Sequence, residues 1–235
     1  MSHIHRAPII HDILQSAHIP PQAIERFVQY DALLVDWNAR MNLTAVTDPA
    51  EVARRHFLDC VQLPQGFHQN PGALIDVGSG AGFPGIPLLI LHPEWDVTLL
   101  DASGKRCAFL QAVLDALGLQ AQVVKARAED FAHTHRATFD VATARAVAPL
   151  RVLAEYLLPL VKVEGVCWAY KGQAAAQELA EAAHALEVLG SDTQSIVPLL
   201  STAPDSAPAL VVLHKERETP ARYPRKAGKP EKIPL

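Results

Sequence analysis

Residues 73–91, ALIDVGSGAGFPGIPLLIL, constrain the fold of this chain more than any other stretch. Leu74–Val77 is an apolar run short enough for a buried strand, and Ile86–Leu91 can begin a helix. A strand, a glycine turn and a helix in this order bring the backbone close to a nucleotide-like ligand. Glycine suits such a turn because it accepts a positive φ and leaves open the space that a side chain would fill.

The glycines fit two patterns that point to different cofactors. Gly78-Ser-Gly80-Ala-Gly82 is a GxGxG that follows the strand and its acid, Asp76. The same stretch, taken from Gly80 to Gly85, is also the GxGxxG of dinucleotide-binding proteins. A tight turn that binds nothing is the structural alternative, and the glycines alone leave all three interpretations open.

A second strand and its terminal acid favour a bound adenosine-type cofactor. The β-rich run 96–100 ends at Asp101, which lies 19 residues after Gly82. Dinucleotide sites place the carboxylate that accepts ribose hydroxyls roughly 20 residues after the glycines. A carboxylate suits this position because it can accept two hydrogen bonds from neighbouring hydroxyls.

Apolar runs alternate with helical patterns from residue 73 onward. Five strand–helix units and two final strands predict an α/β fold with a doubly wound, mostly parallel seven-stranded sheet. We predict the strands at 73–77, 96–100, 121–125, 139–144, 165–170, 193–199 and 209–214. We predict the longer helices of this region at 84–91, 105–117, 149–158 and 174–189.

The charge of the chain is unevenly distributed and sets the C-terminal segment apart. The whole chain carries a net charge of −4, whereas residues 215–235 hold seven Lys/Arg and three Glu, a net charge of +4. Such a basic tail is either an electrostatic arm for nucleic acid or a solvated, partly disordered terminus. We therefore predict three parts: a helical extension at 1–70, a sheet domain at 71–214 and the basic tail.

The helical extension holds a second cluster of basic residues. An Asp48 cap with Glu51 three residues later predicts a helix over 49–62. Arg55 and Asp59 lie four residues apart on it and can pair. The Arg-Arg-His run of this helix is either a solvated face or a surface that holds a substrate phosphate.

The sequence does not indicate a metal site, a disulfide or a membrane span. The three cysteines lie far apart without a CxxC, and the four histidines of the first twenty residues lack metal-site spacing. No apolar run reaches the roughly 18 residues that a membrane span requires. We expect a metal-free protein of the reducing cytoplasm.

Chemically active side chains follow the ends of the predicted strands: Gly78, Asp101, Glu129, Arg145 and Lys171. Because ligands of open parallel sheets bind at the carboxyl ends of the strands, we expect one cleft to contain them. The planar fork of an arginine there suits a carboxylate or a phosphate. The structural alternatives are a helix cap for Glu129, a salt bridge for Arg145 and a solvated strand end for Lys171.

Eight motifs occur in order from about residue 24 to the end of the chain. They are Trp37-Asn38 with Asn42–Ala45, Arg55–Asp59, Asp76–Pro87, Leu100-Asp101, Gly104–Arg106, Arg127–Glu129, Thr143–Ala146 and Tyr223–Gly228. Together they resemble the bacterial small-subunit ribosomal RNA guanine-N7 methyltransferase family, historically called the glucose-inhibited division protein B family. The extended glycine loop and the Trp-Asn…Asn-Leu-Thr element are far more specific than a generic GxGxG.

The resemblance implies a Rossmann-like class I methyltransferase fold that uses S-adenosyl-L-methionine to methylate a guanine of 16S ribosomal RNA. Carried over by position, the cofactor-binding residues would be Gly78, Gly80, Phe83, Asp101, Ala128, Glu129 and Arg145. Arg145 is also the catalytic candidate, as the residue that orients the base. RNA phosphates would be contacted by Arg54, Arg55, Arg127, Lys171, Arg222, Arg225, Lys226 and Lys229.

This reaction fits what the chain contains. Guanine N7 has a free lone pair and no proton, so methylation there needs orientation rather than a general base. No Asn-Pro-Pro-Tyr tetrapeptide and no cysteine placed to attack a pyrimidine ring is present. The expected partner is 16S ribosomal RNA or the small ribosomal subunit, bound by a monomer with an open cleft. The competing hypotheses are an NAD-dependent oxidoreductase, a small-molecule methyltransferase and a non-catalytic RNA-binding protein.

Overall fold

A seven-stranded sheet forms the centre of the computed structural model, which describes residues 3–64, 72–200 and 207–235. The strand order is β3-β2-β1-β4-β5-β7-β6, and β7 alone runs antiparallel to its neighbours. The strands are β1 Ala73–Val77, β2 Asp96–Asp101, β3 Gln122–Lys125, β4 Phe139–Arg145, β5 Val161–Lys171, β6 Gln194–Pro198 and β7 Ala209–His214. The predicted doubly wound, mostly parallel sheet is confirmed.

Helices cover both faces of the sheet. Those that follow β1 are α5 Gly85–Leu91, α6 Gly104–Leu117, α7 Ala128–Thr134, α8 Leu150–Leu157, α9 Ala175–Glu181, α10 Ala183–Leu189 and α11 Lys229–Lys232. The single helix predicted over 174–189 is wrong in one respect, because the chain divides at Ala182 into α9 and α10. Among the described residues, no helix is both long enough and apolar enough to cross a bilayer.

The N-terminal segment is helical, as predicted. It contains α1 His3–Ser16, α2 Pro21–Met41, α3 Pro49–Glu51, a π-helical segment Val52–Leu58 and α4 Asp59–Val61. Asp48 caps α3 by accepting hydrogen bonds from Ala50 and Glu51 N–H, both 3.0 Å long. The predicted Arg55–Asp59 pair is wrong, since Arg55 instead pairs with Glu51, with 2.8 Å between Nε and Oε2.

The helical extension shares a core with one face of the sheet. The rings of Phe27 and Phe57 lie 4.7 Å apart, and Tyr30 stacks on Phe109 of α6. Phe57 is fully buried, so its truncation to alanine would cost about 3–5 kcal/mol of stability. Tyr30 also donates its hydroxyl to the carbonyl of Ala81. The extension therefore helps to support the glycine loop.

The basic tail, residues 215–235, packs on the opposite face of the sheet. Lys215 is buried and donates Nζ to the carbonyls of Leu158 (2.7 Å) and Val161 (2.6 Å). Tyr223 is buried in the core that contains α8. The segment is therefore not a solvated, partly disordered terminus, and the electrostatic arm for nucleic acid stays a prediction. The boundary predicted between residues 70 and 71 lies outside the described residues.

Candidate functional site

Two clefts open at the carboxyl ends of the strands and adjoin at Ala146 and Val147. The smaller cleft, about 250 Å³, is lined by Val77, Gly78, Leu100, Asp101, Ala102, Arg106, Ala126, Arg127, Ala128, Glu129, Ala146, Val147, Tyr156 and Glu231. The larger cleft, about 730 Å³, is lined by Arg55, Asp59, Arg145, Ala146, Val147, Ala148, Pro149, Tyr170, Lys171, Gly172, Gln173, Glu178, Leu199, Ala207 and Pro208.

The five strand-end residues expected in one cleft divide between the two. Gly78, Asp101 and Glu129 line the smaller cleft, whereas Arg145 and Lys171 line the larger one. The prediction of a single cleft is corrected in this respect, because the chain after β4 turns between the two groups.

The glycine loop is held in a shape that leaves the smaller cleft open. Gly78 has a φ of +71°, and a Cβ there would lie 2.7 Å from Val147 Cγ2. Its N–H donates to the carbonyl of Leu100 at 2.8 Å. Behind the loop, Asp76 accepts a 3.0 Å hydrogen bond from Gly85 N–H. The loop is thus tied both to β2 and to the start of α5.

Asp101 lies at the position predicted for a ribose acceptor. It is buried at the end of β2, and its oxygens accept hydrogen bonds from Gly80 N–H (2.9 Å) and Ser103 N–H (2.8 Å). Arg106 Nη1 is 3.6 Å from the same carboxylate. A carboxylate oxygen can accept more than one hydrogen bond, so Asp101 retains capacity for hydroxyl groups in the cleft.

The tail forms a wall of the smaller cleft. Glu129 is buried and accepts a 2.9 Å hydrogen bond from Gly228 N–H, and Glu231 accepts one from the Tyr156 hydroxyl at 3.2 Å. Glu129 therefore does not serve as the helix cap that was the structural alternative for it. Tyr156 and Glu231 were missed by the sequence analysis, since no motif connects α8 with the tail.

Two predicted cofactor residues lie outside both clefts. Gly80 contributes to the smaller cleft only through its hydrogen bond to Asp101. Phe83 is buried among aromatic residues, with its ring 4.4 Å from that of His56 and 5.5 Å from that of Tyr30. Its ring packs the helical extension against the glycine loop, and its predicted contact with the cofactor stays a prediction.

Arg145 extends from the end of β4 into the larger cleft. Its Nη1 donates to Cys60 Sγ at 2.9 Å and to the backbone carbonyl of Arg55. No carboxylate of the described residues forms an ion pair with it, so the salt bridge that was its structural alternative is not present. It does not line the smaller cleft, and its predicted contact with the cofactor stays a prediction.

Three ionisable residues around Arg145 have strongly shifted pKa values. Burial lowers the pKa of His56 to about 3, and Arg145 and Arg55 lower it further, so the imidazole is neutral at pH 7. Burial raises the pKa of Asp59 to about 6 against the opposing effect of the same two arginines. Burial raises the pKa of the Cys60 thiol to about 11, so this thiol stays protonated.

Lys171 and Arg225, both predicted to contact RNA phosphates, are engaged within the protein. Lys171 Nζ bonds to the carbonyl of Ala148 and to Glu178 Oε2, both at 2.7 Å, and its side chain is 9% exposed. The guanidinium of Arg225 pairs with the fully buried Glu155, with 2.6 Å between Nη2 and Oε2. Both residues are thus engaged within the protein, and Arg225 could leave only by exposing the buried Glu155 without its counter-charge. Their predicted contacts with RNA phosphates stay predictions.

The other predicted RNA-binding residues keep accessible basic groups. Arg54 and Arg55 are partly exposed on the helical extension, and Arg127 is exposed at the rim of the smaller cleft. Of the tail residues predicted to bind RNA, Arg222, Lys226 and Lys229 are exposed. Within the described residues, no group of three potential ligands could hold a metal ion.

Comparison with known proteins identifies the family to which this sequence is similar. The chain matches the family described as rRNA small subunit methyltransferase G over residues 23–205. It is 46% identical over 215 residues to the ribosomal RNA small subunit methyltransferase G of Roseiflexus castenholzii, covering 90% of this chain and 92% of that protein. It is 41% identical over 222 residues to the protein of the same name from Alkaliphilus metalliredigens, covering 93% of each.

Solved structures bear on the fold. Precorrin-6y C5,15-methyltransferase of Geobacter metallireducens matches with a TM-score of 0.51 and 16% identity, covering 75% of this chain and 92% of that one. A likeness at this identity concerns the fold alone, and it confirms the predicted class I methyltransferase architecture. From the family match and the two relatives, we conclude that the chain belongs to the rRNA small subunit methyltransferase G family.

Proposed function

We propose that this protein transfers a methyl group from S-adenosyl-L-methionine to N7 of a guanine in 16S ribosomal RNA of the small subunit. The observation that carries the proposal is the pair of adjoining clefts, one beside the glycine loop and one around Arg145. Membership of a methyltransferase family supports it and leaves no basis for the NAD-dependent alternative.

The smaller cleft fits the cofactor on two observations. A side chain at Gly78 would fill the cleft against Val147, and Asp101 presents a buried carboxylate with spare acceptor capacity. We propose that Gly78, Asp101, Ala128 and Glu129 hold the nucleoside part. Once bound, S-adenosyl-L-methionine supplies a methyl group on a sulfonium, which is an electrophile that needs no activation by acid.

The larger cleft then has to present guanine N7 in line with that methyl group. The N7 lone pair forms the new bond to carbon, the carbon–sulfur bond breaks, and its electron pair goes to sulfur. No proton leaves N7, so no general base is needed. The hydrogen bonds of Arg145 use Nη1, which leaves its Nε and Nη2 to donate to the base. A donor at O6, next to N7, orients the ring without occupying the N7 lone pair.

We propose that the RNA backbone lies across the basic groups that remain accessible. Arg55 lines the larger cleft and Arg127 the smaller one, and Arg54 is next to Arg55 in the chain. Arg222, Lys226 and Lys229 extend the basic surface along the tail. The three-part division at residues 70 and 214 is retained as a proposal about function: RNA contact, chemistry, and a tail that serves both. A monomer acting in the bacterial cytoplasm suits a ribosomal substrate and a cleft that is open to a large RNA.

The test is methyl transfer to two substrates from cells that lack this protein: small ribosomal subunits and stripped 16S RNA. Labelled methyl groups are supplied on S-adenosyl-L-methionine, and the product is mapped by strand scission at 7-methylguanine. Label at one guanine is the expected result. Tight cofactor binding by calorimetry without label on either substrate would contradict the proposed substrate and favour a small-molecule or non-catalytic role.

A further inference from the structure

We propose that Asp59 accepts hydrogen bonds from the N1–H and N2–H₂ edge of the target guanine and so makes the larger cleft selective for that base. This inference rests on the proposed function and adds a specificity-determining residue to it.

Asp59 is a largely buried residue at the larger cleft, and its carboxylate has no hydrogen-bond partner among the described residues. The residue is 5% exposed, begins α4 and lines the larger cleft. Among the described residues, none forms an ion pair with this carboxylate or donates a hydrogen bond to it. Burying a carboxylate without a hydrogen-bond partner is costly, so a carboxylate that faces a cleft in this state is suited to a ligand with N–H donors.

The neighbouring carboxylates are committed elsewhere. Glu178 also lines the larger cleft, but it holds Lys171 and the N–H of Leu150. Glu51, on the same helical segment as Asp59, pairs with Arg55. Within the described residues, Asp59 is therefore the carboxylate of this cleft with both oxygens free of protein partners, whereas Oε2 of Glu178 is already occupied.

The Watson–Crick edge of guanine matches a carboxylate. It offers two N–H donors, at N1 and N2, which the two oxygens of one carboxylate can accept side by side. Adenine has an acceptor at N1 and would place it against the negative charge. Enzymes that act on an extruded base commonly recognise it by hydrogen bonds to this edge. Asp59 therefore distinguishes guanine from adenine by attraction and by repulsion.

The two sides of the larger cleft come from different parts of the chain. Ala146 and Val147, where the two clefts adjoin, follow β4, whereas Asp59 comes from the helical extension. In guanine, N7 and the N1–N2 edge lie on opposite sides of the bicyclic ring. A base that points N7 toward the smaller cleft thus turns its donor edge away from Val147, which leaves that edge for the extension.

A carboxylate here also assists the chemistry. Methylation at N7 moves the positive charge of the sulfonium onto the guanine ring. The hydrogens at N1 and N2 become more acidic as that charge develops, so their hydrogen bonds to an ionised Asp59 strengthen toward the transition state. An interaction that grows in this way raises kcat and does more than tighten binding.

The experiment compares guanine with inosine, which lacks the N2 amino group, at the mapped position of ligated 16S RNA. Substrates are naked or reconstituted into subunits, whichever the enzyme methylates. We expect the wild-type kcat/KM to favour guanine by about 10- to 100-fold, the value of one hydrogen bond to a charged group. In Asp59→Ala the preference should fall to within about threefold of the intrinsic difference between the bases. That intrinsic difference is common to both enzymes and cancels in the comparison.

Two further variants keep the result interpretable. Asp59→Asn preserves the shape and one acceptor, so it should fold and retain an intermediate preference. Glu51→Gln removes a carboxylate from the same helical segment and should keep the wild-type preference. A preference in Asp59→Ala equal to that of the wild type, or a uniform loss on both bases, would overturn the role of Asp59. Failure of the wild type to label guanine at all would instead overturn the proposed function.

Discussion

The two clefts differ in how the chain builds them. The smaller cleft takes its lining from the ends of β1, β2, β3 and β4, and a single glycine motif with a spaced acid predicts much of it. The larger cleft joins β4 and β5 to a helical segment more than 80 residues earlier, as the 85-residue separation of Arg145 and Cys60 illustrates. A short sequence motif thus predicts much of the proposed cofactor site, whereas the proposed substrate site depends on how distant segments pack.

The two clefts also differ in charge. Three carboxylates, Asp101, Glu129 and Glu231, line the smaller cleft beside Arg106 and Arg127, and carboxylates suit ribose hydroxyls and a cationic sulfonium. Arg55 and Arg145 give the larger cleft basic groups, which suit an RNA segment. Each cleft contains groups of both signs, but carboxylates are more numerous in the smaller cleft and basic side chains in the larger one. The following predictions test, in order of expected effect, whether each cleft binds its own ligand.

The largest effect is expected from Arg145→Ala. Loss of the oriented donors should lower kcat/KM for RNA by about 100-fold or more, while the Kd of S-adenosyl-L-methionine stays within about twofold of the wild-type value. Arg145→Lys keeps the charge without the planar fork and should recover only part of the rate. The measurements are single-turnover methylation and calorimetry. A cofactor Kd that rose in parallel with the loss of rate would place Arg145 in the cofactor site, as the sequence had predicted.

The next effect concerns Gly78, whose matched control is Gly118. Both have a left-handed φ, +71° and +62°, but a Cβ at Gly78 meets Val147 whereas a Cβ at Gly118 meets nothing within 4 Å. Each alanine variant should lose about 1–2 kcal/mol of stability through backbone strain. Only Gly78→Ala should weaken cofactor binding, by about tenfold. Equal cofactor affinity in the two variants would show that the loop shape does not define the smaller cleft.

The pH dependence of kcat/KM tests the role of Asp59 in the larger cleft. The pKa of Asp59 is raised to about 6, first by burial, while Arg145 and Arg55 oppose the shift and Glu51 adds to it. We expect kcat/KM to fall as the pH drops below about 6, and this limb should be absent in Asp59→Asn. His56, with a pKa of about 3, does not titrate in this range. A limb near pH 6 that persists in Asp59→Asn would assign it to another group.

The raised pKa of Asp59 also makes the stability of the protein depend on pH. The folded state holds a proton on Asp59 up to about pH 6, whereas the unfolded chain releases it near the ordinary value of 3.8. Between these pH values the folded state binds more protons than the unfolded state does. The contribution of Asp59 to the free energy of unfolding therefore decreases as the pH rises from about 4 to 6. Asp59→Asn should remove that decline in Tm.

Much of the fold could be predicted because its signals are local. Alternating apolar runs place seven strands, and the Asp48 cap starts its helix as expected. Contacts between distant segments could not be predicted in this way: Arg225 and Phe83 each have partners that lie far away in sequence. Local charge or apolarity marks such residues as important, but it does not indicate whether the partner is a buried glutamate, a carbonyl or a ligand.

The smallest predicted effect concerns the exposed basic side chains of the tail. Deleting residues 222–235 would remove the proposed RNA contacts together with Glu231, which lines the smaller cleft, and Gly228, which donates to Glu129. Charge substitution separates the two roles. The triple variant Arg222→Gln, Lys226→Gln, Lys229→Gln should lower the slope of log affinity against log salt by about 2 to 2.7, since each phosphate contact contributes roughly 0.7–0.9.

Arg225→Gln is the matched control for that triple variant. It also removes one positive charge from the tail, but it leaves the buried carboxylate of Glu155 without its partner. We therefore expect a lower Tm with an unchanged salt slope, as measured by fluorescence anisotropy with 16S RNA fragments. If Arg225→Gln lowered the slope as much as each member of the triple variant does, its ion pair would have to open on RNA binding. The tail would then connect RNA contact with the wall of the smaller cleft.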